Sequence, residues 1–183
     1  MDTMTCIKNR RSVRRFTEQE VPDEILDELL EAVRWAPSWH NTQCWEVVVV
    51  RGKENKEAII EQLTPGNPSA KGVRQAPVVL VFCARTGVSG YIKGNPQTIK
   101  GDWCMFDMGI AGQSFCLAAH ARGLGTVHIG AFDHKEVDRI LGLPEEVESV
   151  EIIPLGYPAQ AGVKPARKER HQFVHYEKYA DKP

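Results

Sequence analysis

Cationic residues are concentrated in two short segments near the two ends of the chain. Residues 8–15 contain five Lys or Arg and no acid, and residues 164–170 contain four against one Glu, although the net charge is only −1. Arginine guanidinium groups match phosphate oxygens in a bidentate geometry, and the hydroxyl of Ser12 can add a donor. If the fold brings the two segments together, they form one anion site. A solvated basic turn is the alternative for the first segment.

A polar loop at residues 37–43 follows a predicted helix and precedes a predicted buried strand. Asn41 and Gln43 offer amide donors and acceptors together, which suits the amide-like edge of a heterocycle. The flanking Trp39 and Trp45 could stack on such a ring. An ordinary loop capped by its own side chains is the alternative.

Several other chemistries lack their sequence signals. The dinucleotide turn G-x-G-x-x-G after a strand, the phosphate loop G-x-x-x-x-G-K-S/T and the nucleophile elbow G-x-S-x-G are absent. His171 and His175 have no third ligand nearby in sequence, so no metal is expected, and no side chain is assigned as a catalytic acid, base or nucleophile. Five cysteines without C-x-x-C spacing favour reduced, buried thiols.

The length and composition of the chain limit the class of protein to which it can belong. A chain of 183 residues with 42% hydrophobic and 26% charged residues is typical of one globular domain, here residues 1–183. No apolar stretch approaches the roughly 20 residues of a membrane-spanning helix, and residues 1–20 lack a secretory signal. We therefore expect a cytoplasmic protein with no membrane contact. Because the chain outside the basic segments is acidic, nucleic acid is not an expected partner.

Hydrophobic periodicity predicts five helices and four strands. The helices are expected at residues 3–9, from 22 to just before Pro37, and at 53–63, 102–122 and 134–141, and the strands at 46–51, 77–84, 125–130 and 150–155. Helix 102–122 is apolar on every side, which predicts a central helix or one that crosses a subunit interface. Asp102 and Asp107 are expected to cap its dipole. Residues 64–71 and 86–101 are predicted loops, the second a candidate lid, and an extended arm is expected from residue 159.

Five motifs, in order along the chain, resemble the nitroreductase family. They are R-R-S-x-R at residues 10–14, A-P-S-x-x-N-x-Q-x-W at 36–45, R-G-L-G-T at 122–126, P-L-G-Y-P at 154–158, and the basic pair at 167–168. Each motif is weak alone, but together they cover nearly the whole chain. One departure is Cys44, where the family usually has proline.

The resemblance implies an α+β fold, with a central mixed, mainly antiparallel sheet flanked by helices, in an intertwined homodimer with FMN at its interface. The residues implied to hold the ribityl phosphate are Arg10, Arg14, Arg167 and Lys168. Arg11 and Ser12 are implied to contact the pyrimidine or ribityl part. The other subunit is implied to line the isoalloxazine with Pro37, Ser38, Trp39, Asn41 and Gln43. Leu155 and Gly156 are implied to place a backbone N–H near flavin N5, with Gly130 as a neighbour.

For the activity, the resemblance implies an FMN-dependent oxidoreductase that takes hydride from NADH or NADPH. Its acceptors would be nitroaromatics, quinones or similar electron-poor small molecules. FMN carries the hydride chemistry, and a single site that serves donor and acceptor in turn predicts ping-pong kinetics. Two alternatives stay open. One is a family relative that acts on flavin itself or on one specific metabolite, and the other is a non-enzymatic flavin-binding protein.

Overall fold

The structure, a computed structural model, describes residues 2–180. Within that range the chain forms six α-helices and six β-strands. The helices are α1 Thr3–Asn9, α2 Asp23–Arg34, α3 Lys53–Glu61, α4 Ala70–Gln75, α5 Cys104–Ala121 and α6 His134–Leu141. The strands are β1 Trp45–Val50, β2 Val78–Arg85, β3 Tyr91–Ile92, β4 Asn95–Pro96, β5 Gly125–Thr126 and β6 Val147–Gly156.

Four strands form the main sheet in the order β1–β2–β6–β5, and each neighbouring pair is antiparallel. A parallel bridge between Ser12 and Thr126 sets the first basic segment beside β5, at the edge of the sheet. The predicted mixed, mainly antiparallel sheet flanked by helices is therefore confirmed.

Two hydrophobic cores lie on the two faces of the sheet, because successive residues of a strand point to opposite sides. On one face, Phe82 and Ile153 pack with residues of α2 and α5, including Phe115. On the other face, Val81 and Ile152 pack with residues of α3, α4 and α6. The rings of Phe82 and Phe115 meet edge to face with centroids 5.6 Å apart, so α5 is fixed firmly on the sheet.

Helix α5 is not buried on every side within one chain. Met108, Ala111 and Phe115 are fully buried, whereas Met105 and Phe106 in its first turn are 64% and 59% exposed. The single chain therefore does not bury this apolar helix on every side, and of the two expected placements the one at a subunit interface stays a prediction. No helix within the described residues has the length and hydropathy to cross a membrane.

The structure differs from the sequence prediction in several segments. Helix α4 begins in the last two residues of a predicted loop and continues beyond it, β6 begins three residues earlier than expected, and β5 has two residues rather than six. Residues 86–101 are not wholly irregular, since β3 and β4 form a small antiparallel hairpin within them. In α4, a Cβ on Gly72 would lie 2.9 Å from the carbonyl oxygen of Arg14. Local hydrophobic periodicity carries no information about this tertiary contact, so α4 was not predicted from the sequence.

The C-terminal segment from residue 159 is not a regular extended arm. It contains a 3₁₀ turn at Arg170–Gln172, and Phe173, Tyr176 and Tyr179 are exposed. The alternation at residues 173–177 therefore does not correspond to a strand packed on this chain.

Candidate functional site

The first basic segment is held in place by main-chain hydrogen bonds to the end of the sheet. The N–H of Val13 donates to the carbonyl of Thr126 (2.9 Å), and the N–H of Thr17 donates to the carbonyl of Tyr157 (2.9 Å). A third bond runs from the N–H of Ala159, just after β6, to the carbonyl of Arg15. These bonds fix the backbone from which the arginine side chains project, independently of any ligand.

The two basic segments meet at one cavity of about 260 Å³. It is lined by Arg10, Arg11, Ser12, Arg14, Val163, Pro165 and Arg167. Gly162 makes the meeting possible, because a Cβ at this position would overlap the Cβ of Arg11. Among the described lining residues there is no acid, so the cavity presents four guanidinium groups without a compensating carboxylate.

Three buried nitrogens in this region have no hydrogen-bond partner among the residues that the structure describes. They are Nη1 of Arg10, Nε of Arg14 and Nε2 of His120 in the last turn of α5. Burial, followed by the nearby charges of Arg10 and Arg11, lowers the pKa of His120. Buried polar groups are almost always hydrogen-bonded in native proteins. Unpaired guanidinium nitrogens in a basic cavity therefore fit a phosphate ligand, which would supply the missing acceptors.

A second, larger cavity of about 480 Å³ adjoins the first. Its cations are Lys8, Arg11, Lys164 and Arg167. The structure thus brings Lys164 to the basic region, whereas Lys168 lines neither cavity. The sequence could not separate these two lysines, because both belong to the same short basic run.

Leu155 and Gly156 are the last two residues of β6. Leu155 pairs with Thr126, which in turn bridges to Ser12. Two strand spacings place the backbone of Leu155 about 10 Å from Ser12. A Cβ on Gly156 would lie 2.8 Å from Cδ of Pro77, so the close approach requires glycine here.

Gly130 lies farther from the arginines. It follows β5 by four residues, and its carbonyl oxygen is 3.3 Å from Nε2 of His134. It lines neither of the two basic cavities. The structure therefore does not bring Gly130 together with the other predicted site residues.

The predicted ring-binding residues form a compact turn that includes a 3₁₀ turn at Trp39–Asn41. The hydroxyl of Ser38 accepts a hydrogen bond from the N–H of Gln43 (2.9 Å), so the turn is partly capped by its own side chain. His40, Asn41 and Gln43 all have positive φ angles. Pro37, Asn41 and Gln43 are exposed, which leaves them available to a ligand.

Asp107 lies beneath this turn and was missed as a site residue. Its carboxylate is fully buried and accepts a hydrogen bond from the N–H of Trp39 (3.0 Å). Asp102, by contrast, accepts from the N–H of Cys104 (2.8 Å) at the start of α5, as a capping residue does. A lone acid within an otherwise apolar helix was the available signal for Asp107; from the sequence it was assigned to the helix dipole, and no contact with this turn was predicted.

The turn at residues 37–43 and the arginine cavity lie at opposite edges and opposite ends of the sheet. The turn leads into Trp45 at the β1 edge, level with Glu148 near the start of β6. The arginines lie at the β5 edge, level with Leu155 near the end of β6. At about 3.3 Å per residue, the strand direction alone separates the two groups by roughly 20 Å. A single chain therefore does not assemble all the predicted residues into one site.

Comparison with known proteins matches the Nitroreductase family over residues 7–157. An NADH dehydrogenase of Thermus thermophilus is 34% identical over 187 residues, which cover 88% of this chain and 89% of that protein. An FMN reductase (NAD(P)H) of Bacillus subtilis is 33% identical over 192 residues, covering 97% and 74%. A solved FMN-dependent nitroreductase of Clostridium difficile R20291 has a TM-score of 0.79 and 26% identity, covering 97% of this chain and 100% of that chain.

The chain belongs to the nitroreductase family, and the resemblance drawn from its five motifs is confirmed. It is therefore an oxidoreductase of that family. The structural likeness to the Clostridium difficile protein extends over nearly the whole chain. The roles of individual residues stay predictions.

Proposed function

We propose that the protein is an FMN-dependent enzyme that takes hydride from NADH or NADPH and reduces an electron-poor small molecule such as a nitroaromatic or a quinone. The observation that carries the proposal is the basic cavity between the two chain ends. It combines four guanidinium groups with two buried guanidinium nitrogens that have no partner within the described residues. A phosphate monoester such as that of FMN offers the charge and the acceptor oxygens that such a cavity requires.

Different residues of the cavity bind different parts of FMN. Arg10, Arg14 and Arg167 hold the phosphate, with each charge-assisted hydrogen bond contributing about 1.5–3 kcal/mol. Arg11 and Ser12 line the same cavity, and Ser12 bridges to Thr126 beside the end of β6; these two residues contact the ribityl or pyrimidine part. Lys168 and Gly130 have weaker support, because neither lines the cavity.

The chemistry itself comes from the cofactor. When held by the arginines of the cavity, FMN would supply the hydride-transfer chemistry, while this chain's own residues supply binding, orientation and electrostatics. The backbone of Leu155 and Gly156, held against β5 and Pro77, forms a rigid wall for the flavin ring. Rigid main-chain dipoles of this kind stabilise developing charge without having to reorganise.

The second part of the site comes from a partner protomer in a homodimer. Pro37, Ser38, Trp39, Asn41 and Gln43 lie too far from the arginines of their own chain to share one ligand with them. The exposed start of the apolar helix α5 supports the same arrangement, because a partner protomer would bury the apolar side chains of Met105 and Phe106. The partner's turn would then meet the arginines of this chain across the interface.

Names of similar proteins support the donor and the cofactor. The Bacillus subtilis relative is an FMN reductase that uses NAD(P)H, and the Clostridium difficile neighbour is an FMN-dependent nitroreductase. The first name also favours one alternative, in which free flavin is the acceptor. Steady-state assays with free FMN against nitroaromatics and quinones separate the two, since a flavin reductase would have its highest kcat/KM with FMN.

The decisive experiment is an anaerobic visible spectrum of the FMN-loaded protein before and after addition of NADH, and then of NADPH. Bleaching of the bound flavin by either donor supports the proposal and identifies that donor. A bound flavin that stays oxidised with both donors favours a non-enzymatic flavin-binding protein. A protein that retains no flavin at all contradicts the proposal.

A further inference from the structure

Asp107 is a fully buried carboxylate in the first turn of an apolar helix. Taking a carboxylate out of water is costly unless hydrogen bonds or opposite charges compensate it. The donors that the structure describes on it are all neutral. Its position near the N-terminus of α5, an 18-residue helix, adds the favourable end of the helix dipole.

The donors to Asp107 come from two separate segments of the chain. The N–H of Trp39 lies 3.0 and 3.2 Å from its two oxygens, and the thiol of Cys44 lies 3.6 Å from Oδ2. The hydroxyl of Ser89 donates to the same Oδ2 at 2.6 Å. Burial, followed by the charge of Asp107, raises the pKa of Cys44 to about 12, so this thiol keeps its proton and acts as a donor.

The turn at residues 38–43, which these hydrogen bonds hold, has a strained backbone. It carries three residues at positive φ, namely His40 (46°), Asn41 (55°) and Gln43 (48°). Non-glycine residues in this region store strain, and they persist only where the surrounding structure imposes the conformation. The bond from Trp39 to Asp107 holds the start of the turn, and Cys44 holds its end.

Ser89 anchors the other segment. It is fully buried, and its carbonyl accepts a hydrogen bond from the N–H of Trp103 (3.0 Å) at the base of the hairpin segment, residues 87–103. Asp102 closes the same base by accepting from the N–H of Gly87 (2.7 Å). A movement of the hairpin segment therefore acts on Ser89, and through Ser89 on Asp107.

We propose that Asp107 is a positioning residue that couples the hairpin segment, residues 87–103, to the turn at residues 38–43. Its catalytic consequence rests on the proposed function, in which that turn lines the flavin of the partner protomer. The hairpin of one protomer then controls the ring environment of the other. The mechanical coupling itself does not depend on flavin.

Hydrogen–deuterium exchange on the purified dimer or monomer, as isolated, tests the coupling. The variants are Asp107→Asn, which keeps the shape but loses the charge and one acceptor, and Ser89→Ala, which removes one donor. Asp133→Asn is the matched control, because Asp133 also accepts a backbone N–H, at the start of α6 (3.2 Å), and Asn is an equally good N-cap.

Loss of one buried hydrogen bond corresponds to about tenfold faster exchange in a locally opening segment. For Asp107→Asn, we expect this increase both in peptides that cover residues 38–43 and in peptides that cover residues 87–92. The distinctive result is expected from Ser89→Ala. Among the described residues the Ser89 side chain has no direct hydrogen bond to the turn, only one to Asp107, yet its removal should accelerate exchange at residues 38–43. Acceleration confined to residues 87–92 in Ser89→Ala, or none in Asp107→Asn, would overturn the coupling.

A second measurement connects the coupling to catalysis. In the flavin-loaded protein, both variants should shift the visible absorption of the flavin and lower kcat/KM for the acceptor by about tenfold, while Asp133→Asn changes neither. Unchanged spectra and kinetics alongside accelerated exchange would remove the catalytic role. A wild-type protein that holds no flavin would contradict the proposed function but leave the exchange result valid. Ser89→Ala keeps the test informative if Asp107→Asn does not fold.

Discussion

Gly162 lies directly against the side chain of Arg11, so closely that a Cβ on the glycine would overlap the Cβ of the arginine. This contact closes the C-terminal basic segment onto the N-terminal one. It is the point at which two charged segments, distant in sequence, become one basic cavity lined by Arg10, Arg14 and Arg167.

The variant Gly162→Ala should weaken FMN binding by about tenfold or more, because overpacking of this kind costs roughly 1–3 kcal/mol and here displaces Arg167 from the cavity. Flavin fluorescence titration gives the affinity. Gly52→Ala is the control, since a Cβ at Gly52 meets nothing within 4 Å. Equal FMN affinities in the two variants would show that the contact with Arg11 is dispensable.

Removal of Arg10 should weaken FMN binding by about 1.5–3 kcal/mol, the value of a charge-assisted hydrogen bond. Titration of Arg10→Ala with FMN and with riboflavin, which lacks the phosphate, checks the assignment. We expect a large loss for FMN and almost none for riboflavin. Arg139→Ala, which breaks only an exposed pair with Glu136, is the control, and an equal loss for both ligands would place Arg10 away from the phosphate.

Mixed dimers test whether one site uses two protomers. One protomer carries Arg10→Ala and Arg14→Ala, and the other carries Asn41→Asp in the turn at residues 38–43. If each site combines the arginines of one protomer with the turn of the other, both sites are damaged in a homodimer of either variant. In the mixed dimer, one site carries both sets of substitutions and the other site carries none. Dual-tag purification followed by flavin quantitation should therefore recover tight binding at about one site per mixed dimer. No recovery would mean that each chain builds its site alone.

The free energy of unfolding should depend on pH through His128. Hydrogen bonds with Cys116 and Glu151 raise the pKa of His128 to about 10, against the opposing effect of burial, and its Nδ1 is 2.6 Å from Oε2 of Glu151. A raised pKa in the folded state stabilises the protein fully below pH 6.5, and this stabilisation is lost as the pH rises through about 10.

Urea unfolding of the wild type and of His128→Asn at several pH values between 6 and 10.5 measures this effect. We expect the stability difference between the two proteins to be largest near pH 6 and to shrink steadily toward pH 10. The direction follows from the proton that the folded state retains. A difference that stays constant over this range would contradict a charged pair.

Local sequence patterns predicted several elements with the bounds that the structure has. Helix α6 occupies residues 134–141 as expected, because its ends are set by near neighbours. Asp133 accepts from the N–H of Glu136, and Gly142 adopts the left-handed conformation that ends a helix. Helix α1 is confirmed over residues 3–9 in the same way.

Elements that depend on distant partners were less predictable. Helix α4 is short and contains Gly72, so its own propensity is weak, and its contact with Arg14 is made only in the folded chain. Strand β5 ends after Thr126, although the apolar pattern continues to Ile129, which makes only an isolated bridge with Ile152. Strand length is set by the partner strand, which local periodicity does not contain.

The sequence by itself determined the chemical character of the site and the family, because both depend on residue types in order: arginines around Ser12, and a polar turn ending at Gln43. The tertiary structure alone decided how they combine. It joined Arg10 to Arg167, placed the turn at the opposite edge of the sheet, and set Asp107 beneath Trp39. The physical reason is that charges and hydrogen-bond donors are properties of single residues, whereas their meeting depends on strand register and helix packing across the whole chain.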